Sequence, residues 1–261
     1  MLHTPNPLAL LRDRAILGHR GNRAHAPENT LFALREAVAL GVDGIEFDVH
    51  LSRDGQVVVI HDPTLDRTTN ATGAVASYSW AELGALDAGA KFTSDGGATY
   101  PFRGKGIGVP RLVDVLEAFP TTTMIIEIKE PRASLAVRRI ILDHSAADRC
   151  TVGAFAHESL TPFDGSGIAR GASTREVTAM YLPVLLGRRY RTLAFQSMSL
   201  PPVHNGIPLP LGALSRATHD AGVPVYAWTI NNPVQAATLW SRGVRGVITD
   251  DPGLLLRSRS A

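Results

Sequence analysis

Cysteine is almost absent from this chain. Cys150 stands alone, so no internal disulfide can form and a reducing compartment suits the protein. Zinc fits poorly too, because there is no cysteine cluster and no pair of histidines at metal-binding spacing. Charge of one sign is also scarce. Lys and Arg total 26 against 24 Asp and Glu, a net charge of +2 with His neutral, and the basic residues are scattered. That balance argues against a nucleic-acid partner. Long apolar runs are missing as well. The N-terminal run spans only Leu8 to Leu11 before Arg12 and Asp13 interrupt it, and no basic segment precedes it. Neither a signal peptide nor a transmembrane span is expected, which implies a cytoplasmic protein. No repeat or low-complexity stretch appears.

What remains is an ordinary globular composition. The chain has 261 residues, 44% hydrophobic and 19% charged, enough for a sizeable core in one α/β domain. Ala15 to His19 reads as a buried strand. The helix from Leu31 follows, capped by Asn29 or Thr30 and ended by Gly41. Next comes the stretch that concentrates the chemistry, Gly44 to Asp62. Strand periodicity places Glu46, Asp48 and His50 on one face and Ile45, Phe47 and Val49 on the other. Asp54-Gly55 signals a tight turn. QVVVIHD then reads as a return strand carrying His61 and Asp62 back toward the carboxylates.

Residues 63–108 break the pattern with a Gly-, Thr- and Ser-rich excursion whose helical hint is Trp80 to Leu86. A segment of this length reads as an insertion over one end of the sheet, not a separate domain. Alternation then resumes. TMIIEIK, TVGAF, IARGAS, LAFQ, PVYAWTI and RGVITD read as strands, separated by helical stretches and followed by a last helix, PGLLLRS. With the first two strands this makes eight βα units across one domain, residues 1–261. That is the size of a (β/α)₈ TIM barrel with a small insertion after the second strand and its hairpin. A doubly wound sheet is the rival, but GHRGN lacks the spacing of a dinucleotide-binding turn.

In such barrels the site lies at the C-terminal strand ends. Ionisable residues gather there: His19 and Arg20 after the first strand, Glu46 and Asp48 on the second with His61 on its return, and Glu127 and Lys129 on the third. Glu46, Asp48 and Glu127 make a hard oxygen set suited to Mg²⁺ or Ca²⁺. Arg20 and Lys129 add fixed positive charge for a phosphate. His19 and His61 titrate near neutrality, as an acid–base pair requires. The combination reads as metal-assisted displacement at phosphorus. Asp250 and Asp251 read as caps for the last helix, and His50 as a supporting residue.

The motifs GHRGNRAHAPENT, EFDVHLSRDGQVVVIHDPTLDRTTNATG, LDAGAKF, IEIK, VYAWTINN and GVITDDP, in this order, resemble those of the glycerophosphodiester phosphodiesterase family over nearly the whole chain. The resemblance implies hydrolysis of a glycerophosphodiester, a small-molecule substrate, to an alcohol and sn-glycerol 3-phosphate. It implies metal ligation by Glu46, Asp48 and Glu127, and catalysis by His19 and His61. It implies phosphate contacts from Arg20 and Lys129, with Glu28 and Asn29 supporting the site and Trp228 lining the glycerol side. Residues 150–222 carry least of the pattern. The attacking oxygen is water or the glycerol 2-hydroxyl. Three rivals stand beside this reading. One is a lysophospholipase D or phosphoinositide phospholipase C acting on lipid. Its membrane contact would need an apolar rim, for which Tyr78, Trp80, Phe92, Tyr100 and Phe102 are candidates if they do not form a core of their own. The others are a phosphodiester-binding module without turnover and an aldolase using Lys129 as a Schiff base.

Overall fold

The computed structural model describes residues 4–260. A short helix, α1 (Pro7–Leu10), precedes β1 (Ala15–His19) and α2 (Leu31–Ala39). β2 (Gly44–Leu51) folds back into the antiparallel β3 (Val57–Val59). After α3 (Trp80–Gly84) and α4 (Leu112–Ala118) come β4 (Met124–Ile128), α5 (Ser134–Asp143), β5 (Cys150–Gly153), α6 (His157–Leu160), β6 (Ala169–Arg170), α7 (Thr174–Leu185) and β7 (Met198–Leu200). A small hairpin, β8 (Val203–His204) with β9 (Ile207–Pro208), leads to α8 (Leu211–Thr218), β10 (Val225–Ala227), α9 (Pro233–Ser241), β11 (Gly246–Thr249) and α10 (Pro252–Ser260).

Eight strands run parallel in the order β6-β5-β4-β2-β1-β11-β10-β7. The two ends of this sheet meet through a parallel bridge between Gly171 and Ser197. There the Ala172 amide donates to the Ser197 carbonyl and the Gln196 amide to that of Arg170. The sheet is thus closed into the expected (β/α)₈ barrel. Period 2 sorts its residues as the sequence suggests. Ile45, Phe47, Val49, Ile126 and Ile128 pack outward against apolar residues of α2, α4 and α5. Glu46, Asp48 and Glu127 consequently face inward.

The N-terminal mouth of the barrel is stoppered by α1, which in the sequence shows only as a short apolar run. Leu8 is fully buried in a cluster with Leu17, Ile125, Tyr226 and Ile248, and the Tyr226 hydroxyl donates to the Leu8 carbonyl at 2.8 Å. Leu8→Ala should therefore destabilise the protein by about 2–5 kcal/mol, the usual range for a large-to-small core change. Urea unfolding measures it, and a loss below about 0.5 kcal/mol, the scale of a surface substitution, would show that α1 is not part of the core.

Three local expectations are corrected. The sixth strand is Met198–Leu200, downstream of LAFQ. Phe195 is buried as loop, so its apolar neighbourhood imitates a strand, while Ser199 facing the barrel lumen hides the real one. The hairpin after it went unread although Asn205-Gly206 is a strong two-residue turn signal, and both residues are left-handed, with φ of 49° and 79°. The return strand is shorter than QVVVIHD, so His61 and Asp62 lie just past its end.

The insertion packs Leu65, Val75, Leu83, Ala88 and Val109 onto Val58 and Ile60, with Tyr78 and Trp80 at the edge. Phe92 and Phe102 stack edge-on at 5.2 Å, and Phe102 lies 5.2 Å from Phe32 on α2. Its aromatics thus form an internal cluster and an anchor to the barrel.

Candidate active site

Strand register brings the site residues together. β1 pairs with β2 so that His19 lies opposite Glu46, and β2 pairs with β4 so that Asp48 lies opposite Glu127. Ligand oxygens of Glu46, Asp48 and Glu127 lie within 4.8 Å of one another. The loop after β1 closes one side. Gly21 takes φ +89°, and a Cβ there would meet the Ala33 backbone at 2.5 Å, so only glycine lets this loop sit on the start of α2. Arg20 and Asn29 both adopt left-handed backbone, at φ +53° and +58°, an uncommon conformation for residues with side chains. The Asn29 amide donates to the Arg20 carbonyl, and the Arg20 amide to the Glu46 carbonyl at 2.7 Å.

The charges interlock. Lys129 Nζ donates to Glu127 Oε1 at 2.6 Å and lies 2.8 Å from Asp48 Oδ1. Arg20 Nε lies 3.1 Å from Asp48 Oδ2, an oxygen that also accepts from Asn29 Nδ2 at 2.9 Å. Burial opposes ionisation of Asp48, yet Lys129, Arg20 and His61 hold its carboxyl below the usual range. Glu46 is the reverse. Burial pushes its carboxyl well above the usual range, Asp48 and Glu127 push further, and Arg20 and Lys129 only partly offset them. An oxygen-ligated divalent cation answers that imbalance, so the residues present fit one. Burial alone would lower the Lys129 ammonium, but Asp48 and Glu127 outweigh it and raise it, which keeps Lys129 protonated and disfavours a Schiff-base role.

Each histidine is backed by an aspartate. His19 Nδ1 lies 2.6 Å from Asp250 Oδ1, and its Nε2 lies 3.9 Å from Glu46 Oε2. His61 Nδ1 lies 2.6 Å from Asp62 Oδ1. Burial draws the His61 ring below its usual range, Asp48 and Asp62 pull it back in part, and Lys129 and Arg20 add to the fall. His50 Nε2 lies 3.0 Å from the His61 carbonyl and so holds the chain that carries His61.

Glu28 and Asn29 do not line the cleft. Glu28 accepts from Arg20 Nη1 at 2.7 Å, Arg23 Nε at 3.0 Å, and two Arg67 nitrogens at 2.8 Å each. It is a junction for three guanidinium groups, and Asn29 steadies Asp48. Trp228 does line the cleft, with Phe155 edge-on to it at 5.9 Å. The aspartate behind His19 escaped the sequence reading. Asp251 caps α10 as expected, accepting from the Leu254 amide, but Asp250 points back to His19, Arg23 Nη1 and Asn231 Nδ2. Arg67 likewise carries no signal in the sequence. It chelates Asp62, donating from Nε to Oδ2 at 2.6 Å. Nothing in local periodicity marks either residue, because both act across the barrel top.

The Arg67 hydrogen bonds draw the Asp62 carboxyl down to about 2. Burial opposes ionisation of Glu28, but Arg67 and Arg20 overcome it and hold its carboxyl below the usual range. Groups depressed in the folded state stabilise it fully above their unfolded pKa of about 4 and lose that contribution as pH falls toward the folded value. The melting temperature should therefore drop as pH is lowered from about 5 to about 3. Glu28→Gln should lower it already at pH 7 and flatten the acid limb. Parallel pH curves for the two proteins would contradict the clamp.

The fold and site define a class: a barrel enzyme with three clustered inward carboxylates that could hold a cation, two aspartate-backed histidines, and Arg20 and Lys129 beside them. Residues 19–254 match the model of the glycerophosphoryl diester phosphodiesterase family. The chain belongs to that family and is an enzyme of that kind. It is 32% identical over 248 residues to a glycerophosphodiester phosphodiesterase of Caldanaerobacter subterraneus, covering 92% of this chain and 96% of the relative. It is 32% identical over 257 residues to one of Bacillus altitudinis, covering 94% and 97%. Among solved structures, a glycerophosphodiester phosphodiesterase of Agrobacterium tumefaciens superposes with a TM-score of 0.74 at 27% identity, over 94% of this chain and 99% of that one. The phosphodiesterase domain of an uncharacterized Mycobacterium tuberculosis protein shares the fold, with a TM-score of 0.82 at 22% identity over 95% and 99%. Among the described residues no helix is long and apolar enough to cross a membrane.

Proposed function

We propose that this chain hydrolyses glycerophosphodiesters to sn-glycerol 3-phosphate and an alcohol, with a divalent cation, Mg²⁺ or Ca²⁺, held by Glu46, Asp48 and Glu127. His19 and His61 serve as the acid–base pair. One observation carries this reading: Glu46 and Glu127 line one cleft with His19 and His61, and buried Asp48 lies behind them with a ligand oxygen within 4.8 Å of theirs. When bound, the cation supplies Lewis-acid polarisation of a phosphoryl oxygen. Arg20 and Lys129 bind the phosphate and balance its charge as the transition state develops. Asp250 and Asp62 each occupy Nδ1 of a histidine, which fixes the ring and leaves Nε2 for proton transfer. One ring accepts the proton of the attacking oxygen, from water or the glycerol 2-hydroxyl. The other gives a proton to the departing alcohol oxygen. The lowered pKa of His61 favours the neutral form that accepts a proton. Trp228 lines the glycerol side, Glu28 positions Arg20, and Asn29 positions Asp48. Turnover of glycerophosphocholine, glycerophosphoethanolamine and a phosphomonoester control tests the reading. Release of sn-glycerol 3-phosphate from the diesters supports it, while binding without release would favour the non-catalytic module.

A further inference from the structure

The two histidines of the cleft are held in unequal ways. The aspartate behind His19 is anchored twice more, since Asp250 accepts from Arg23 Nη1 at 3.1 Å and from Asn231 Nδ2 at 3.0 Å. The carboxylate behind His61 has a single further side-chain partner among the described residues, Arg67. His61 also lies past the end of β3, so no strand ladder fixes it, and its side chain is 32% exposed. The contact of Nδ1 with Asp62 holds the ring, and Arg67 holds Asp62.

Arg67 uses two edges of its guanidinium. Nε and Nη2 donate to Asp62 Oδ2 and Oδ1 at 2.6 and 3.2 Å, while Nη1 and Nη2 donate to Glu28 Oε2 and Oε1 at 2.8 Å each. The two oxygens that share Nη2 are the ones that reach the site. Asp62 Oδ1 lies 2.6 Å from His61 Nδ1, and Glu28 Oε1 accepts from Arg20 Nη1 at 2.7 Å. One nitrogen therefore stands between the carboxylate on the histidine and the carboxylate on the arginine assigned to the phosphate. Two like charges meeting there repel unless a cation separates them. A planar fork can serve two bidentate pairs at once, which an ammonium cannot. The segment that carries Arg67 is firmly built. Leu65 and Thr69 are fully buried, and the Thr69 amide and hydroxyl both donate to the Leu65 carbonyl. The Gly73 amide donates to Asp66 Oδ2 at 3.0 Å, and Lys91 donates to the Asp66 carbonyl.

We propose that Arg67 is a positioning residue for the reaction: it locks Asp62 and Glu28 into one clamp, through which the insertion sets the His61 ring and the Arg20 guanidinium relative to each other. This rests on the phosphodiesterase reading above. Arg67 does not line the cleft that holds the histidines. It borders a neighbouring cavity of about 530 Å³ between the insertion and α10, together with Arg23, Thr68, Lys91 and Leu254. Its influence therefore passes through the two carboxylates. A displacement of about 1 Å in a reacting group is enough to cost about 10²-fold in rate. Loss of the clamp loosens the His61 ring, which lowers kcat, and frees Arg20 from one of its supports, which raises KM.

The test measures kcat and KM for glycerophosphocholine in Arg67→Ala, Arg67→Lys and the wild type, with folding followed by thermal melting. Arg67→Ala should lower kcat/KM by about 10- to 100-fold through both constants. Asp62→Asn should lower kcat with little change in KM, and Glu28→Gln should act chiefly on KM. Arg67→Lys should recover little, since a lysine cannot span both carboxylates. Millimolar guanidinium should restore much of the Arg67→Ala rate, because the Arg67 side chain is 43% exposed and borders an open cavity. Sodium chloride at matched ionic strength should not. A structural role alone would not produce that rescue. Arg67→Ala within about threefold of wild type would overturn the clamp and leave the phosphodiesterase reading standing. So would a fall that guanidinium does not restore, or one that follows the loss of folded protein. A wild-type enzyme without turnover would overturn both.

Discussion

His19→Ala and His61→Ala are each expected to lower kcat for glycerophosphocholine by about 10²- to 10⁴-fold, the usual worth of a positioned acid or base. KM should change little, because Arg20, Lys129 and the carboxylates stay in place. The expectation rests on restraint as much as on proximity. Asp250 at 2.6 Å and Asp62 at 2.6 Å hold the two rings by Nδ1. A histidine kept only for stability needs no such pair facing one cleft. The two variants can be told apart with a diester whose leaving group is p-nitrophenol, which departs without a proton. The variant lacking the general acid should recover most of its rate on that substrate, and the one lacking the base should not. Near-native turnover of either alanine variant on glycerophosphocholine would remove that histidine from the mechanism.

The second large effect concerns the cation. Chelation should lower turnover by about 10³-fold or more, since Lewis-acid stabilisation at phosphorus contributes several kcal/mol. Added Mg²⁺ or Ca²⁺ should restore it. Glu46→Gln should act in the same way and should weaken cation binding, measured directly by calorimetry. Glu46 is the informative position of the three. Asp48 has Arg20, Lys129 and Asn29, and Glu127 has Lys129, whereas buried Glu46 meets only the Arg20 backbone amide at 3.2 Å and His19 Nε2 at 3.9 Å, with Asp48 and Glu127 repelling it. Removing its charge relieves the repulsion, so the fold should hold or gain while activity falls. Full turnover after chelation, or a Glu46→Gln enzyme within about threefold of wild type, would contradict the cation's role.

Much of this site can be read from the chain because barrel geometry maps position onto place. Strand periodicity alone turns Glu46 and Asp48 inward, and the strand-end rule collects His19, Arg20, Glu127 and Lys129 on one rim. The site features that escaped are those made by contacts between distant segments. Asp250 looks like a helix cap beside Asp251 before Pro252, and only the neighbouring position of β11 and β1 shows that it faces His19. Arg67 lies in a loop with no periodicity, so its grip on Asp62 and Glu28 depends on how the insertion folds back. The strand at Met198–Leu200 is masked in the sequence because Phe195, buried in a loop, produces the same apolar signal as a strand. The stretch from Gly44 to Asp62 supplies two carboxylates and one histidine, and each depends on a partner from elsewhere in the barrel.

The most direct measurement is a crystal structure of the protein soaked with Mn²⁺, with anomalous scattering recorded at the metal. The expected result is one strong peak about 2.0–2.6 Å from an oxygen of each of Glu46, Asp48 and Glu127, with both histidine rings facing the same cleft. A peak elsewhere, or a Glu127 carboxylate turned away from Asp48, would contradict it.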